Sequence, residues 1–310
     1  WWAEAAMRVL FFGTPRFAVP CLEACARAHR VVAVVTQPDR PAGRGRRVTS
    51  PPVAVRAREL GLVVLQPERL REAREALEAS APDVGVVVAY GRILPSWLVR
   101  LPRLGCVNVH PSLLPKYRGA SPVQAAIRNG DPTAGVSVLW VTEELDAGDI
   151  LGQKEVPVSP DDTAGTLEAK LAEEGARLLL EVLDALERGQ LRPRPQDPAQ
   201  ATYCGKLSKE DGLIRWDEPA EVVERHVRAM DPWPVAHTLH RGRLLRIWRV
   251  RPVEGHGQPG EVLRVTPEGF VVATGSGAVE VVEVQPPSGR RMTGAEYARG
   301  YRLQPGDRLG

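Results

Sequence analysis

Cysteine is scarce. Four residues in 310, with no Cys-x-x-Cys pair among them, are too few for a disulfide framework in so long a chain and point to a reducing cytoplasm. Long apolar runs are missing too: the stretches 31–35 and 84–90 fall well short of the roughly 18 residues that span a bilayer, which argues against an integral membrane helix. No Gly-x-Gly-x-x-Gly follows the first predicted strand, so the dinucleotide fingerprint fails and NAD is not expected. Lysine supplies only five of the 41 basic residues, a bias that GC-rich coding alone would produce, so arginine abundance by itself says nothing of function. There is no internal repeat.

What is there is an ordinary globular composition, 43% apolar and 25% charged with a net charge of +3, in a chain long enough for one large domain or two ordinary ones. Residues 1–6, Trp-Trp-Ala-Glu-Ala-Ala, have neither the charged start nor the apolar core of a signal peptide and read as a non-native leader before Met7. From there to 190, short β-rich runs alternate with helical stretches, the pattern of βαβ units and a parallel sheet. The spacing predicts strands at 9–12, 31–36, 63–66, 84–89, 106–110 and 136–141, and helices at 52–60, 70–81, 122–129 and 163–188. Residues 191–200 hold three prolines and no apolar period, which predicts a semi-rigid linker over 191–206. Beyond it a helix at 220–230 precedes strand-like runs at 244–250, 260–265, 269–274 and 279–284, the spacing of a small barrel over 207–310.

Charge is locally uneven. Between residues 36 and 56, Arg40, Arg44, Arg46, Arg47 and Arg56 stand against the single acid Asp39, and Arg241, Arg243, Arg246, Arg249 and Arg251 crowd 241–251 with no acid. Such clusters mark a polyanion site or simply a solvated face.

Chemistry gathers in two places. Asn108 and His110, two apart in a predicted strand, project from one face at the carboxyl end, where open α/β sheets bind ligands; one brings an amide donor and the other a titratable imidazole. Glu143, Glu144, Asp146 and Asp149 follow the strand at 136–141 in an acidic, glycine-punctuated loop. A carboxylate beside the imidazole would orient its tautomer and stabilise its protonated form, although spacing alone does not bring Asp146 to His110. Other conspicuous residues have plainer readings. Gly13 fits a tight strand-to-helix turn or a backbone contact to a ligand, and Cys21 and Cys25 fit a helix core. His237 and His240 lack neighbouring ligands, so no metal is expected, and Trp216, Trp233 and Trp248 suit a barrel core better than a base-stacking platform.

Five segments together resemble the methionyl-tRNA formyltransferases: Gly-Thr-Pro at 13–15, Thr-Gln-Pro-Asp-Arg-Pro-Ala-Gly-Arg-Gly at 36–45, Val-Ala-Tyr-Gly at 88–91, Asn-Val-His-Pro-Ser-Leu-Leu-Pro at 108–115 and Leu-Asp-Ala-Gly-Asp at 145–149. The resemblance runs from Met7 to the C-terminus. It implies a Rossmann-like, mostly parallel α/β formyltransferase domain over 7–190 and an OB-like tRNA-binding barrel over 207–310. It also implies transfer of the formyl group of 10-formyltetrahydrofolate to methionine on initiator tRNA. Carried over residue by residue, the catalytic triad falls on Asn108, His110 and Asp146, and the folate-contacting segment on Ser112, Leu113, Leu114 and Pro115, with Tyr90 and Gly91 beside it. The tRNA-binding set falls on Arg40, Arg44, Arg46 and Arg47 of the arginine-rich loop and Lys206 at the junction, to which the charge pattern adds Arg243 and Arg246. The expected protein is a cytoplasmic monomer whose partners are the acceptor stem of initiator Met-tRNA and folate, with no membrane. The alternative is formyl transfer to a small amine such as a nucleotide-linked amino sugar, a branch that tends to carry histidine where Leu139 stands. A tRNA-binding module with a vestigial site is a third reading, and the intact triad counts against it. Trp140 departs from the family pattern without removing a triad member.

Overall fold

The structure is a computed structural model that describes residues 6–310, so the expected leader lies, but for Ala6, outside the described residues. Two compact units form. The first takes the chain up to Gly119, then Thr133–Pro157 and Glu168–Tyr203, and the second takes Ala120–Pro132, Val158–Leu167 and Cys204–Gly310.

In the first unit β1 (Arg8–Gly13), α1 (Val19–Ala28) and β2 (Arg30–Val35) make a βαβ unit, followed by a hairpin of β3 (Arg40–Ala42) and β4 (Arg47–Thr49). Then come α2 (Pro52–Glu59), β5 (Val64–Leu65), α3 (Arg74–Ala79), β6 (Val84–Val88), α4 (Ser96–Val99), β7 (Cys106–His110) and β8 (Arg118–Gly119). After α5 (Pro122–Arg128), which belongs to the second unit, follow β9 (Thr133–Trp140), β10 (Ile150–Pro157), α6 (Ala164–Glu187) and β11 (Tyr203–Cys204). Seven strands lie in the order β10-β9-β7-β6-β1-β2-β5. The strands from β5 to β7 run parallel, whereas β9 is antiparallel to both β7 and β10. Val9, Leu10, Phe11 and Phe12 are all fully buried, as expected of a central strand covered on both faces.

Two local expectations fail for physical reasons. Strand β10 was not predicted, because it is an edge strand that buries only Ile150 and Val156 and so leaves no apolar run in the sequence. The helix predicted at 70–81 is a 3₁₀ turn at Leu70–Ala73 followed by the short α3. Close packing accounts for Gly13, where a Cβ would come within 2.9 Å of Ala18 and the Phe11 ring and 3.0 Å of the Val88 carbonyl. At Gly175 the missing side chain lets α6 settle on Val109 and Val136, since a Cβ there would lie 3.1 and 3.2 Å from their methyls. With Val109 turned to the helix, Asn108 and His110 face the other way.

The second unit continues through α7 (Ala220–Ala229), β12 (His237–His240), β13 (Arg243–Val253), β14 (Val262–Val265), β15 (Phe270–Ala273), β16 (Ala278–Gln285), β17 (Met292–Thr293) and α8 (Gly294–Gly300). An antiparallel sheet of order β12-β13-β16-β15-β14, with β17 on β16, curls into a half-barrel. Register shifts beside Arg249 bend the long β13. The last residues tie both edges, Gly310 N–H to the Leu239 carbonyl and Val262 N–H to the Asp307 carbonyl, each at 2.8 Å. Trp216 is core, as expected, and donates to Thr238 Oγ1 at 2.9 Å. Trp233 is not: half of it is exposed, while the half-buried Trp248 is covered by the Arg291 guanidinium at 3.9 Å.

None of the four cysteines is in a disulfide, and burial pushes the Cys25 and Cys106 thiols up to about 12 and the Cys21 thiol well above its ordinary value. Iodoacetamide at about pH 8 attacks thiolates. Native protein should therefore be labelled at Cys204 at most, with the other three reacting only in denaturant. Rapid native-state labelling of Cys21, Cys25 or Cys106, read by peptide mass spectrometry, would contradict this packing.

Candidate active site

Strand β7 ends in the centre of the sheet, and the loop joining β9 to β10 returns to it. That loop carries Asp146 in a left-handed conformation, φ 55°. Its Oδ2 accepts from the Gly119 N–H at 2.9 Å, and its Oδ1 lies 3.4 Å from Asn108 Nδ2 and 3.7 Å from His110 Nδ1. Both the imidazole and the carboxylate are nearly fully buried. His110 Nε2 sits 2.8 Å from the Tyr117 carbonyl oxygen. A carbonyl only accepts, so Nε2 holds the ring proton in the neutral form and Nδ1 is the bare nitrogen, facing Asp146. The arrangement therefore has a base, a carboxylate to receive the resulting cation, and an amide donor beside both. Asn108, His110 and Asp146, separated by up to 38 residues, do come together.

The segment after His110 is held from beneath by residues the sequence reading passed over. Ser137, fully buried and directly opposite His110 on β9, donates to the Ser112 carbonyl at 2.7 Å and accepts from the Leu114 N–H at 3.2 Å. Gln153 on β10 donates to the Leu114 carbonyl at 2.8 Å and to Ser137 Oγ at 2.9 Å. A lone serine in the apolar run Gly-Val-Ser-Val-Leu was the available signal. Ser112 Oγ closes a turn onto the Lys116 carbonyl at 2.6 Å, and the Leu114–Pro115 peptide is cis. Leu113 occupies the space over Gly135, where a Cβ would collide with its side chain, so the two residues fit only as a pair. Leu114 packs with Leu139 and Ile150, and Leu139 lies directly across the ladder from Asn108.

Tyr90, expected as a folate contact, presents its backbone rather than its ring at the strand end. Its ring is in the core, edge-on to Phe12 at 5.7 Å, and burial raises its phenol above the ordinary range. At the strand end it contributes its carbonyl, which accepts from Thr14 Oγ1 at 2.8 Å and Gln37 Nε2 at 3.3 Å. Gly91, at φ 89°, makes the turn that follows.

The arginine-rich segment is a hairpin rather than an irregular loop. Ala42 pairs with Arg47 and Arg40 with Thr49, and every residue from Arg40 to Thr49 is exposed. Gln66 anchors its first leg through the Gln37 carbonyl and Asp39, at 3.1 and 2.7 Å. Of the ten clustered arginines, Arg56, Arg241 and Arg251 are ion-paired to glutamate or aspartate. Arg40, Arg44, Arg46, Arg47, Arg243, Arg246 and Arg249 have no ion-pair partner among the described residues; Arg249 was counted in its cluster but not in the expected tRNA-binding set. Lys206, Arg243 and Arg246 belong to the second unit, Lys206 and Arg243 exposed and Arg246 half-buried. Histidines 237 and 240 are structural, bonded to the Val235 carbonyl and the Tyr297 hydroxyl at 3.2 and 2.6 Å.

Comparison with known proteins fits this geometry. The family profile described as formyl transferase matches residues 7–183, and the one described as formyl transferase, C-terminal domain, matches 206–302. The chain belongs to the formyl transferase family. It is 48% identical over 306 residues to the methionyl-tRNA formyltransferase of Thermus thermophilus, covering 98% of this chain and 99% of that one. With the methionyl-tRNA formyltransferase of Desulfotalea psychrophila it shares 50% over 305 residues, 97% and 94% of the two chains. Among solved structures, HypX from Aquifex aeolicus in complex with tetrahydrofolic acid matches with a TM-score of 0.68 at 22% identity, over 96% of this chain and 48% of that one. An N-formyltransferase from Helicobacter canadensis, solved with folinic acid and dTDP-3-aminofucose, matches at 0.67 and 17%, covering 89% and 98%. At such identities these structures speak for the fold alone, and this chain spans about half of HypX.

Gly148 gives a test of the family's reaction. A Cβ there would collide with the Trp140 carbonyl, so the loop that holds Asp146 could not keep its path. Gly148→Ala should leave far-ultraviolet circular dichroism unchanged and lower formyl transfer by about ten-fold or more, since misplacement by about an ångström is that costly. Wild-type turnover in this variant would show that the loop path does not matter.

Proposed function

We infer that the protein transfers the formyl group of 10-formyltetrahydrofolate to the α-amine of methionine esterified to initiator tRNA, for translation initiation. End-to-end likeness to relatives named methionyl-tRNA formyltransferase supports the substrate pair. The observation that carries the chemistry is His110, its Nε2 committed to the Tyr117 carbonyl and its Nδ1 bare beside Asp146.

When bound, the folate supplies an electrophilic formyl carbon and, in N10, the departing nitrogen. The acceptor amine, with a pKa of about 8, is largely ammonium at neutral pH and must lose a proton before it can attack. His110 Nδ1 takes that proton, directly or through one water, and Asp146 receives the imidazolium as an ion pair across the 3.7 Å gap. One amide proton of Asn108 is directed at Asp146, at 3.4 Å, which leaves the other for the formyl oxygen as negative charge builds there. The acceptor nitrogen, still carrying one proton too many after attack, loses it to solvent, and the imidazolium returns its own proton to N10 as the bond from N10 to the formyl carbon breaks. The new carbon–nitrogen bond remains on the acceptor amine.

Recognition of the RNA rests on the unpaired arginines. Phosphate contacts from Arg40, Arg44, Arg46 and Arg47 on the hairpin, and from Lys206, Arg243 and Arg246 in the second unit, would give affinity that falls steeply with salt. We read the protein further as a monomer of the cytoplasm, a compartment that cysteines outside any disulfide suit.

The reading is tested by transfer of labelled formyl from 10-formyltetrahydrofolate to charged initiator Met-tRNA, charged elongator Met-tRNA or a small amine. Label should reach the initiator tRNA alone and disappear in His110→Ala. In Asn108→Ala the rate should fall about 10²- to 10³-fold, the usual cost of one oxyanion donor. Arg44→Ala with Arg46→Ala should raise the KM for tRNA while leaving folate binding intact. Label on the small amine, or equal loss of folate binding in the arginine variant, would overturn the assignment.

A further inference from the structure

The segment read as a semi-rigid linker from its prolines is hydrogen-bonded to the first unit at several points. Within the first unit it lies across the two loops that hold the triad. Residue Arg194 exchanges backbone hydrogen bonds with Ile150 at 2.8 and 2.9 Å, and its guanidinium donates to Gln153 Oε1 at 2.8 Å. Two residues on, Gln196 is half-buried between exposed neighbours. Its Nε2 donates to the carbonyls of Asp146 and Gly148 at 2.8 and 2.7 Å. Its Oε1 accepts from Nε and Nη2 of the buried Arg118 at 3.2 and 3.0 Å. Further along, Thr202 Oγ1 accepts from the Tyr117 N–H at 2.8 Å, and its carbonyl accepts from the Arg118 N–H, also at 2.8 Å.

The two residues so held share an unusual backbone. Asp146 and Tyr117 are both non-glycine residues in the left-handed region, at φ 55° and 58°. Each is disfavoured on its own and persists only where its surroundings fix it. Each also sets one end of the histidine's environment: Tyr117 through its carbonyl on Nε2, Asp146 through its carboxylate opposite Nδ1. We propose that Gln196 and Thr202 are positioning residues, and that the segment 191–203 is a strap that holds both left-handed turns and thereby fixes the His110 tautomer and its carboxylate. This rests on the triad reading above.

The test uses the whole protein, four substitutions in the strap and one in the triad. Gln196→Leu removes every polar contact, and Gln196→Glu keeps an acceptor for Arg118 but loses both donors to the loop carbonyls. Thr202→Val removes the hydroxyl, and Thr202→Ser restores it. Gln196→Leu, Gln196→Glu and Thr202→Val should each lower kcat by about ten-fold or more, the scale of modest misplacement, with the KM of both substrates within about two-fold of wild type. Gln196→Glu should do so while unfolding no earlier than wild type, because its charge pairs with Arg118. Thr202→Ser should recover most of what Thr202→Val loses. Wild-type kcat in Gln196→Glu, or losses that simply track the unfolding midpoint across the four proteins, would overturn the strap. Asp146→Asn separates the two ideas. If it is inactive while Gln196→Glu is not, the strap alone fails; if it is fully active, the triad reading falls and the strap's role with it.

Discussion

A buried carboxylate that needs partners governs this site. Asp146 sits almost out of reach of solvent, where an ionised group is costly unless hydrogen-bonded or paired. Its hydrogen-bond donors come from two directions, the Gly119 N–H and the Asn108 amide, and the Nδ1 edge of His110 becomes a third partner once the ring is protonated. None of these is near it in sequence, so the crossover of β7, the return of β9 and the turn at Tyr117–Gly119 must all be in place before the carboxylate is satisfied. The fold's work is to make those conditions hold together. The apolar faces of β7 and β9 are given to α6, and their opposite faces carry Asn108 and His110 of the site and Ser137, which holds the segment that follows His110.

Much of this was legible from residue type and spacing. Strand β7 has the bounds expected of it, and the alternation that put Asn108 and His110 on one face holds. That Asp146 belongs with them came from resemblance rather than from spacing, and the structure supplies the physical reason, a left-handed turn that bends the loop back over the strand end. What the sequence concealed was held by hydrogen bonds rather than by apolar burial. Strand β10 has no hydrophobic run, and residues 191–203 have no apolar period, so neither leaves a trace in hydropathy. Tyr90 shows the reverse case. An aromatic next to Phe12, Leu94 and Leu98 is drawn into the core, and only its backbone stays at the strand end.

The two basic clusters looked alike as strings of arginine. In three dimensions each divides into ion-paired members and members that keep their charge. Arg56, Arg241 and Arg251 are consumed by internal ion pairs, whose worth at a surface is small. The hairpin arginines, carried on a two-stranded stem anchored by Gln66, keep their charge facing outward. Anchored cations of this kind suit phosphate recognition better than a freely moving loop, because less order must be imposed when the ligand arrives.

The central claim is that Nδ1 of His110 is the nitrogen that takes the acceptor's proton. Nitrogen-15 NMR of histidine-labelled protein, recorded where the imidazole is neutral and assigned with His110→Ala, reports directly which ring nitrogen is protonated. The account predicts the Nε2–H form, with Nδ1 bare toward Asp146. A neutral His110 protonated on Nδ1 would contradict it.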